Sequence, residues 1–422
     1  MFEASRLLTR DGRLLFATRT ARLFSYGFLS VVLALYLARL GLSEPRIGVL
    51  LTATLLGDTA VSFWIVTNAD RLGRRRMLSV GAVLMIFAGS VFAATSDFFV
   101  LLVAAIVGVI SPSGNEVGPF LPIEQAALSQ IVSAEARTKV FAWYNLSGSF
   151  ATALGSLAGG ALVQALQNAG WPDVMSYRAV VSGYAVMGLP LLLLFARLSP
   201  ATELPTSSPE SLSREMPWIG VRESRGLVLR LAGLFSLDAF AGGFVLQSLV
   251  AYWFSIRFGV TPGLLGGIFF GANILAGISA LGAARLAARI GLINTMVFTH
   301  IPSNILLLLV PLMPNAPLAI AVLLLRFSIS QMDVPTRQSY TMAVVSPEER
   351  SAAAGITGIA RTIGASLAPV IAGPLLADAA LLGVPFFISG GLKIAYDLLL
   401  YRSFRKHRPP EEAADSHSTG VS

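Results

Sequence analysis

Long apolar runs joined by short loops most limit how this 422-residue chain can fold. A membrane-spanning helix needs about 20 mostly apolar residues. Only 13% of the residues are charged, whereas soluble domains hold about 25%, so lipid is the expected solvent. We therefore predict an all-α integral membrane protein with twelve spans. The predicted spans are 18–40, 46–67, 77–95, 98–123, 139–165, 178–197, 227–253, 262–284, 295–313, 317–340, 351–376 and 382–402.

Basic residues predict which side of the membrane each loop faces. An even number of spans puts both termini on one side, and the loops after even-numbered spans are the more basic. The richest of them, Asp70–Arg76, holds four arginines. Arginine-rich loops stay in the cytoplasm and can meet anionic lipid, so both termini are predicted to be cytoplasmic. No cleaved signal is expected at the N-terminus, which we interpret as a cytoplasmic tail leading into the first span. The predicted location is a bacterial inner (plasma) membrane.

The chain divides into two similar halves. Residues 198–226 are polar and rich in Pro and Ser, which predicts a cytoplasmic linker between six-helix bundles at 1–197 and 227–403; a disordered tail is expected at 404–422. Short matches recur between the halves in order. Asp70–Gly73 matches 288–291 at an offset of 218, and Pro122-x-Glu124-Gln125 matches Pro335-x-Arg337-Gln338 at 213. These repeats predict two pseudo-symmetric bundles of the same orientation.

The loop sequence DRLGRRR, from Asp70 to Arg76, resembles the signature of the major facilitator superfamily, as do the twelve spans and the central linker. The resemblance implies a secondary active transporter that works by alternating access. It also implies a gating role for this loop, with Asp70 meeting the start of a helix near 350–351 in the other half. The alternative is that Asp70 pairs with local arginines. The residues assigned to the gate here are Asp70, Arg71, Gly73 and Arg74.

Departures from the family pattern weaken any narrower assignment. Val66 stands where the signature has its first Gly, and the Gly-Pro of antiporters is absent from the fifth span. The Arg that drug antiporters often carry in the fourth span is also missing. We nevertheless expect proton-coupled efflux of a small organic compound, with proton-coupled uptake of a small metabolite as the alternative.

Charged residues inside spans are functional candidates, because a charge at the bilayer centre costs about 2.5–3.5 kcal/mol on insertion scales. Glu116 follows Asn115 in span 4, between Pro112 and Pro119, where a kinked helix can line a cavity. Glu116 is expected either to carry the proton or to pair with a neighbouring Arg. In this fold, spans 1, 4, 7 and 10 line the cavity. The predicted substrate- or proton-binding residues are Asn115, Glu116, Asp238, Arg326, Asp333 and Arg361.

Several other polar residues receive more modest interpretations. Glu124 and Arg337 occupy matching repeat positions with opposite charges, so we expect either an interdomain gate or a pair within each half. Arg19 and Arg22 are expected to snorkel to the inner interface. Lys393 and Asp397 are expected to neutralise each other on one helix. Further candidates for substrate contact are Tyr26, Trp143, Tyr144, Gln247, Trp253 and Asn273.

The composition and motifs also argue against metal binding, nucleotide-driven transport, nucleic-acid binding and catalysis. The chain has no Cys and only three scattered His, so no metal site is expected, and no cofactor. No G-x-x-x-x-G-K-[ST] loop is present, so no nucleotide is expected to drive transport. No basic helix or aromatic platform suggests nucleic acid. The rival class, an intramembrane enzyme or a non-transporting sensor, lacks the His or Cys pair or tight acid cluster that catalysis would need. A monomer with a small-molecule substrate and protons is expected.

Overall fold

A computed structural model describes residues 8–116, 118–203, 224–346 and 349–405, and every regular element in these ranges is helical. The first half contains α1 Arg10–Ser30, α2 Leu33–Arg39, α3 Glu44–Leu72, α4 Arg74–Ala94, α5 Phe98–Val107, α6 Phe120–Ile131, α7 Ala134–Asn168 and α8 Asp173–Ala196. The second half contains α9 Arg225–Gly243, α10 Gln247–Phe258, α11 Pro262–Ile290, α12 Leu292–Leu309, α13 Ala316–Phe327, α14 Asp333–Ala343, α15 Arg350–Leu367, α16 Pro369–Ala377 and α17 Val384–Phe404. Two short 3₁₀ turns cover Pro200–Thr202 and Val310–Leu312.

The helices are those of an integral membrane protein. Nine helical segments of the described residues are long and apolar enough to cross a membrane, and α1 with α2, bent by 42°, would be a tenth. Two shorter apolar helices, α5 and α13, begin at the positions predicted for spans 4 and 10. Large apolar side chains such as Trp64, Phe99 and Leu193 are exposed, as a lipid-facing surface requires. The count of twelve and the cytoplasmic termini stay predictions.

Five spans predicted as single helices are broken: the first and fourth of each half, and the eleventh span of the chain. Span 1 begins earlier than expected, at Arg10, where the Thr9 hydroxyl accepts the Gly12 N–H at 3.2 Å. Among the described residues, the breaks fall at 31–32, 108–116 with 118–119, 244–246, 328–332 and 368. Broken helices leave backbone groups without helical partners. One such group finds a partner at another break, since the Ser248 N–H donates to the Pro112 carbonyl at 3.1 Å.

The internal repeat is visible in how the helices cross. A Cβ added to Gly27 of α1 would lie 2.1 Å from the carbonyl oxygen of Thr152 on α7, and one on Gly243 of α9 would lie 2.3 Å from that of Ala365 on α15. The positions correspond at offsets of 216 residues (27 to 243) and 213 residues (152 to 365). Only glycine permits backbones to approach this closely. The two halves therefore use the same helix crossing.

The described residues form two compact units. The first unit holds the described residues up to 203 with Leu246–Ile274 and Pro369–Ala377, and the second holds the remainder. In the first unit, α3 crosses α16 where Gly48 faces the Pro369 carbonyl, and α7 crosses α11 where Gly160 faces that of Pro262. The predicted bundles stay predictions, and most of the predicted linker and tail, 204–223 and 406–422, lies outside the described residues.

Aromatic and aliphatic side chains hold the second unit together around its charged residues. One apolar cluster of the described residues joins α9, α12, α14 and α17 through buried side chains. The buried residues are Leu231, Phe235, Ile293, Met296, Val297, Tyr340, Tyr396, Leu400 and Phe404. This packing fixes the helices that carry the second of the two charged clusters described next.

Candidate functional site

Two clusters of buried charged side chains form the candidate site, one in each unit. The first cluster comprises Arg19, Arg22, Glu116, Glu124 and Tyr144. Arg19 and Arg22 are three apart on α1, so they share a helix face. Arg22 is completely buried and Arg19 is 6% exposed. Each guanidinium lies over an aromatic ring, Arg19 at 4.4 Å from the Tyr144 centroid.

Glu124 is the fixed acid of the first cluster. Its side chain is completely buried, and Arg22 donates to both of its oxygens, from Nη1 at 2.8 Å and from Nη2 at 2.9 Å. The Thr18 hydroxyl donates to Oε1 at 2.7 Å, and the Tyr144 hydroxyl donates to Oε2. A buried carboxylate with this many donors has its charge and its lone pairs satisfied. Glu124 therefore binds α1, α6 and α7 to one another.

Glu116 is the more exposed acid of the same cluster. Arg19 Nη1 donates to Oε2 at 2.8 Å, and Arg22 Nε donates to Oε1 at 2.9 Å. The side chain is 17% exposed and stands in the break between α5 and α6. The predicted pairing of Glu116 with a neighbouring Arg is thus observed. Asn115 is exposed, and its carbonyl accepts the Ser111 hydroxyl at 2.8 Å.

The prediction that Arg19 and Arg22 snorkel is wrong. Both are buried, because two carboxylates compensate their charges inside the bundle, so the guanidinium groups need not reach the membrane–water interface.

A third acid, Asp58 on α3, is 7% exposed and has no ion-pair partner among the residues described. Its nearest side-chain donor is Ser62, at 3.5 Å.

Asp238 on α9 is the centre of the second cluster. Lys393 Nζ donates to Oδ1 at 2.6 Å, and Oδ2 accepts from Arg337 Nη1 at 3.3 Å and from Arg361 Nη1 at 3.2 Å. His300 Nε2 lies 3.9 Å from Oδ1. Four helices besides α9 thus supply a basic side chain to one carboxylate. A carboxylate buried this deeply needs such paired cations, and here it has them.

Two more acids complete the second cluster. Asp333 accepts from Arg337 Nη1 at 3.0 Å, four residues along α14. Asp397 lies 2.8 Å from His300 Nδ1 and accepts from Asn304 Nδ2 at 3.1 Å. The predicted pair of Lys393 with Asp397 is wrong, because each finds a closer partner on another helix.

The two remaining predicted residues of the second unit differ from one another. The side chain of Arg361 is 32% exposed, which makes it the most accessible member of the second cluster. Arg326 stacks over Phe327 at 5.0 Å, and its buried Nε has no hydrogen-bond partner among the described residues. The structure therefore brings together Asp238, Asp333, Arg337 and Arg361, and Arg326 lies within electrostatic range of Asp333 and Asp238.

An uncharged hydrogen-bonded group in the first unit contains two of the predicted substrate-contact residues, Gln247 and Asn273. Gln247 Nε2 donates to the hydroxyls of Ser30 at 2.8 Å and Ser156 at 3.2 Å. Its Oε1 accepts from Asn273 Nδ2 at 3.2 Å. Gln247 begins α10 directly after the break at 244–246. Its amide therefore ties the broken span to α1, α7 and α11.

The signature loop is held by the residues that follow α8. Gly73 turns the chain between α3 and α4 at φ +101°, a conformation that favours glycine. The Glu203 carboxylate accepts the N–H groups of Arg74 at 2.7 Å and Arg75 at 3.0 Å, at the positive end of α4. Arg74 Nε donates to Asp70 at 2.9 Å, while Arg71 is exposed. The local pairing of Asp70 is therefore present, and its interdomain contact stays a prediction.

Sequence reasoning missed the roles of Arg22, Tyr144, His300 and Glu203. Arg22 had a usable signal, since the repeat offset of 216 places it opposite Asp238. His300 and Glu203 had none, because their partners are remote in the sequence. Glu124 and Arg337 each have their observed partners within their own unit. This agrees with the predicted alternative in which each residue pairs within its own half.

Comparison with known proteins identifies the family. The profile of the Major Facilitator Superfamily matches residues 15–369. An uncharacterized membrane protein of Saccharomyces cerevisiae, YJR124C, is 31% identical over 431 residues, covering 95% of each chain. The quinolone resistance protein NorA of Staphylococcus aureus is 26% identical over 138 residues, about a third of each chain.

Solved structures show the same fold at low sequence identity. A bacterial homologue of the human lysosomal transporter Spinster superposes with a TM-score of 0.74 at 16% identity, covering 94% of this chain and 98% of that one. A D-xylose-proton symporter superposes at 0.71 and 16% identity, covering 92% and 97%.

Proposed function

Because this chain belongs to the Major Facilitator Superfamily, we propose that it is a proton-coupled secondary active transporter of a small organic compound. It works by alternating access, as a monomer. One observation carries the coupling: Glu116 is a partly exposed carboxylate whose charge is matched by two buried arginines. A proton on Glu116 removes the anion that holds Arg19 and Arg22. Protonation and the arrangement of α1 are then linked.

The proposed binding residues fall in both units. Asn115 and Glu116 belong to the first unit, and Asp238, Arg326, Asp333 and Arg361 belong to the second. Protons are assigned to Glu116 because it is the accessible acid of its cluster, whereas Asp238 is 3% exposed beneath four basic side chains. The second cluster is assigned to substrate orientation through Arg361.

The signature loop is proposed as part of the gate, with Asp70, Arg71, Gly73 and Arg74. Glu124 and Arg337 are also proposed as gate residues, because each holds a helix of the gate in place by its ion pair, Glu124 with Arg22 and Arg337 with Asp238. Replacing Asp70 by Asn removes the carboxylate that Arg74 binds at the end of α3. Transport by the D70N protein is expected to fall while its folding is retained. Normal transport by D70N in vesicles would remove Asp70 from the gate.

Export and cotransport are the two candidate directions. Export in exchange for protons is supported by the partial similarity to NorA, whose name describes resistance to quinolones. Cotransport is supported by the geometry, because a substrate that takes over Arg19 and Arg22 leaves Glu116 without cations and favours its protonation. The geometry therefore favours cotransport. A bacterial inner membrane stays the proposed location, and the basic loops assign its cytoplasmic side.

Transport in proteoliposomes tests the proposal. The purified full chain is reconstituted with a pH-sensitive dye inside, and classes of organic compound are added outside with and without an imposed pH gradient. Substrate-dependent proton movement is expected in the wild type and in Arg39→Gln, which breaks an exposed ion pair with Asp173. It should be lost in Glu116→Gln. Counterflow of substrate without proton movement in the wild type would refute the coupling.

A further inference from the structure

The arginine pair of α1 is built to receive a carboxylate from outside the protein. We propose that Arg19 and Arg22 bind the carboxylate group of an organic anion, and that Glu116 occupies this position when the substrate is absent. The inference rests on the proposed transport function and names its substrate class. Three observations carry it: the geometry around Glu116, the unused donors of Arg19, and the contrast with Glu124.

The Glu116 carboxylate lies between two guanidinium groups, as the carboxylate of a bound ligand would. Its two oxygens accept from different guanidinium groups, Oε2 from Arg19 at 2.8 Å and Oε1 from Arg22 at 2.9 Å. Planar guanidinium groups recognise carboxylates by such paired contacts. The backbone around Glu116 is permissive, with Gly114 at φ +70° and Gly118 at φ +81°. The side chain can therefore withdraw without unfolding a helix.

Arg19 has donor capacity that the protein does not use. Its Nε is buried and has no hydrogen-bond partner among the described residues. Nη1 contacts Glu116, and Nη2 donates to Asn145 at 3.2 Å. A guanidinium offers five N–H donors, and leaving one buried and unpaired is costly. An incoming carboxylate with its own oxygen geometry can take this donor, which Glu116 does not reach.

The two acids of the cluster differ in how replaceable they are. Glu124 has no exposed surface and accepts four hydrogen bonds from three side chains. Glu116 is 17% exposed, and among the described residues its side chain accepts from the two arginines. A substrate anion therefore competes with Glu116 and leaves Glu124 in place. The persistent Arg22–Glu124 contact keeps the guanidinium of Arg22 in position during the exchange.

The exchange also sets the proton balance. With Arg19, Arg22, Glu116 and Glu124 all charged, these four side chains sum to zero. A bound monocarboxylate adds one negative charge, and one proton taken from water by the released Glu116 carboxylate restores neutrality. One anion and one proton then move together. The other ionisable groups near Glu116 are Tyr26 on α1, Asp58 on α3 and Tyr144 on α7.

Chemical rescue tests the site without knowledge of the natural substrate. Glu116→Ala removes the internal carboxylate and leaves the arginines facing an empty space. Acetate at about 100 mM is expected to raise the thermal unfolding midpoint of this variant by about 2 °C or more at a fixed scan rate, whereas acetamide should not. Adding Arg19→Gln to Glu116→Ala should abolish the acetate effect, and adding Arg39→Gln should preserve it.

Each outcome decides the proposal. Equal responses to acetate and acetamide, or an acetate response that survives Arg19→Gln, would overturn it. If the Ala variant fails to fold, Glu116→Gln keeps the side-chain volume and serves in the same assay with the same expectation. Because this assay has no membrane gradient, its failure leaves proton-coupled transport standing. Loss of proton movement in proteoliposomes despite acetate binding would refute the proposed function alone.

A final arm tests which acid takes the proton. In wild-type protein, stabilisation by a transported carboxylate or by benzoate should strengthen as the buffer becomes more acidic, because Glu116 must take up a proton as it is displaced. Glu116→Gln should remove this pH dependence, and Asp58→Asn should retain it. The reverse pattern would assign the proton to Asp58 and overturn the role of Glu116.

Discussion

The two charged clusters share one geometry with opposite signs. In the first, a cation on α1 meets an acid on α6, Arg22 with Glu124; in the second, an acid on α9 meets a cation on α14, Asp238 with Arg337. The positions correspond at the repeat offsets of 216 and 213. Each pair joins the first helix of a half to the second part of its broken fourth span. The repeat has therefore kept the pairing and exchanged the charges.

The clusters differ most in their accessible member. In the first it is an acid, Glu116, at 17% exposure, and in the second it is a cation, Arg361, at 32%. The pairs beneath them are buried and fix the helices. The two clusters therefore share a buried ion pair but differ in the sign of the accessible side chain. The first cluster presents an acid at its accessible position, and the second presents a cation.

Removing the buried member of either pair should have the largest effect. Arg22→Gln leaves Glu124 buried without a cation, and Asp238→Asn leaves Lys393, Arg337 and Arg361 without their shared anion. Breaking a buried ion pair on one side costs about 3–5 kcal/mol. Both variants are expected to lose that much in unfolding free energy, measured by chemical denaturation in detergent.

The exposed pair Arg39–Asp173 provides the control for both variants. Its side chains are 56% and 46% exposed, and Arg39→Gln should change stability by less than about 0.5 kcal/mol. A loss in Arg22→Gln no larger than that of the control would show that the first cluster does not fix its helices. The same result for Asp238→Asn alone would restrict the comparison to the first unit.

His300→Gln separates the two clusters by their pH behaviour. The imidazole is the side-chain donor or acceptor nearest to Asp397, so its loss should cost about 1–3 kcal/mol of stability. Transport should still depend on pH, because the proton is assigned to Glu116 in the other cluster. Initial uptake rates across a pH series provide the measurement, with Glu116→Gln as the flat reference. A flat profile in His300→Gln would move the proton to the second cluster.

Glu203→Gln tests the contact that holds the signature loop. The carboxylate accepts two N–H groups at the start of α4, where a negative charge is favoured by about 0.3–1 kcal/mol. A stability loss of about 1 kcal/mol is expected, together with slower transport if the loop belongs to the gate. Asp97→Asn is a matched change, because Asp97 caps α5 with one N–H at 2.9 Å. Equal transport rates in both variants would argue against a gating role for Glu203.

Sequence periodicity predicted the apolar helices well because a membrane span needs a long run of apolar residues. It also identified Glu116 and Asp238 as notable, since charges in such runs are rare, and the repeat match with Glu124 singled out Arg337. It failed for Arg22 and Lys393, whose partners lie 102 and 155 residues away along the chain. The sequence argument used local rules for these residues: snorkelling for Arg22 and i,i+4 pairing for Lys393. The packing of distant helices offered each residue a better-compensated position.

The smallest expected effect tests whether the clusters act independently. Glu124→Gln and Arg337→Gln each weaken a pair inside its own unit. If these pairs within each unit stabilise the protein independently, the losses in unfolding free energy of the two variants should add within about 0.5 kcal/mol, as is usual for sites with no shared partner. The measurement is a double-mutant cycle on unfolding free energy, repeated on the transport rate. A coupling well above that in the stability cycle would instead support the interdomain gate. Coupling confined to the transport rate would mean that Glu124 and Arg337 exchange partners only while the transporter turns over.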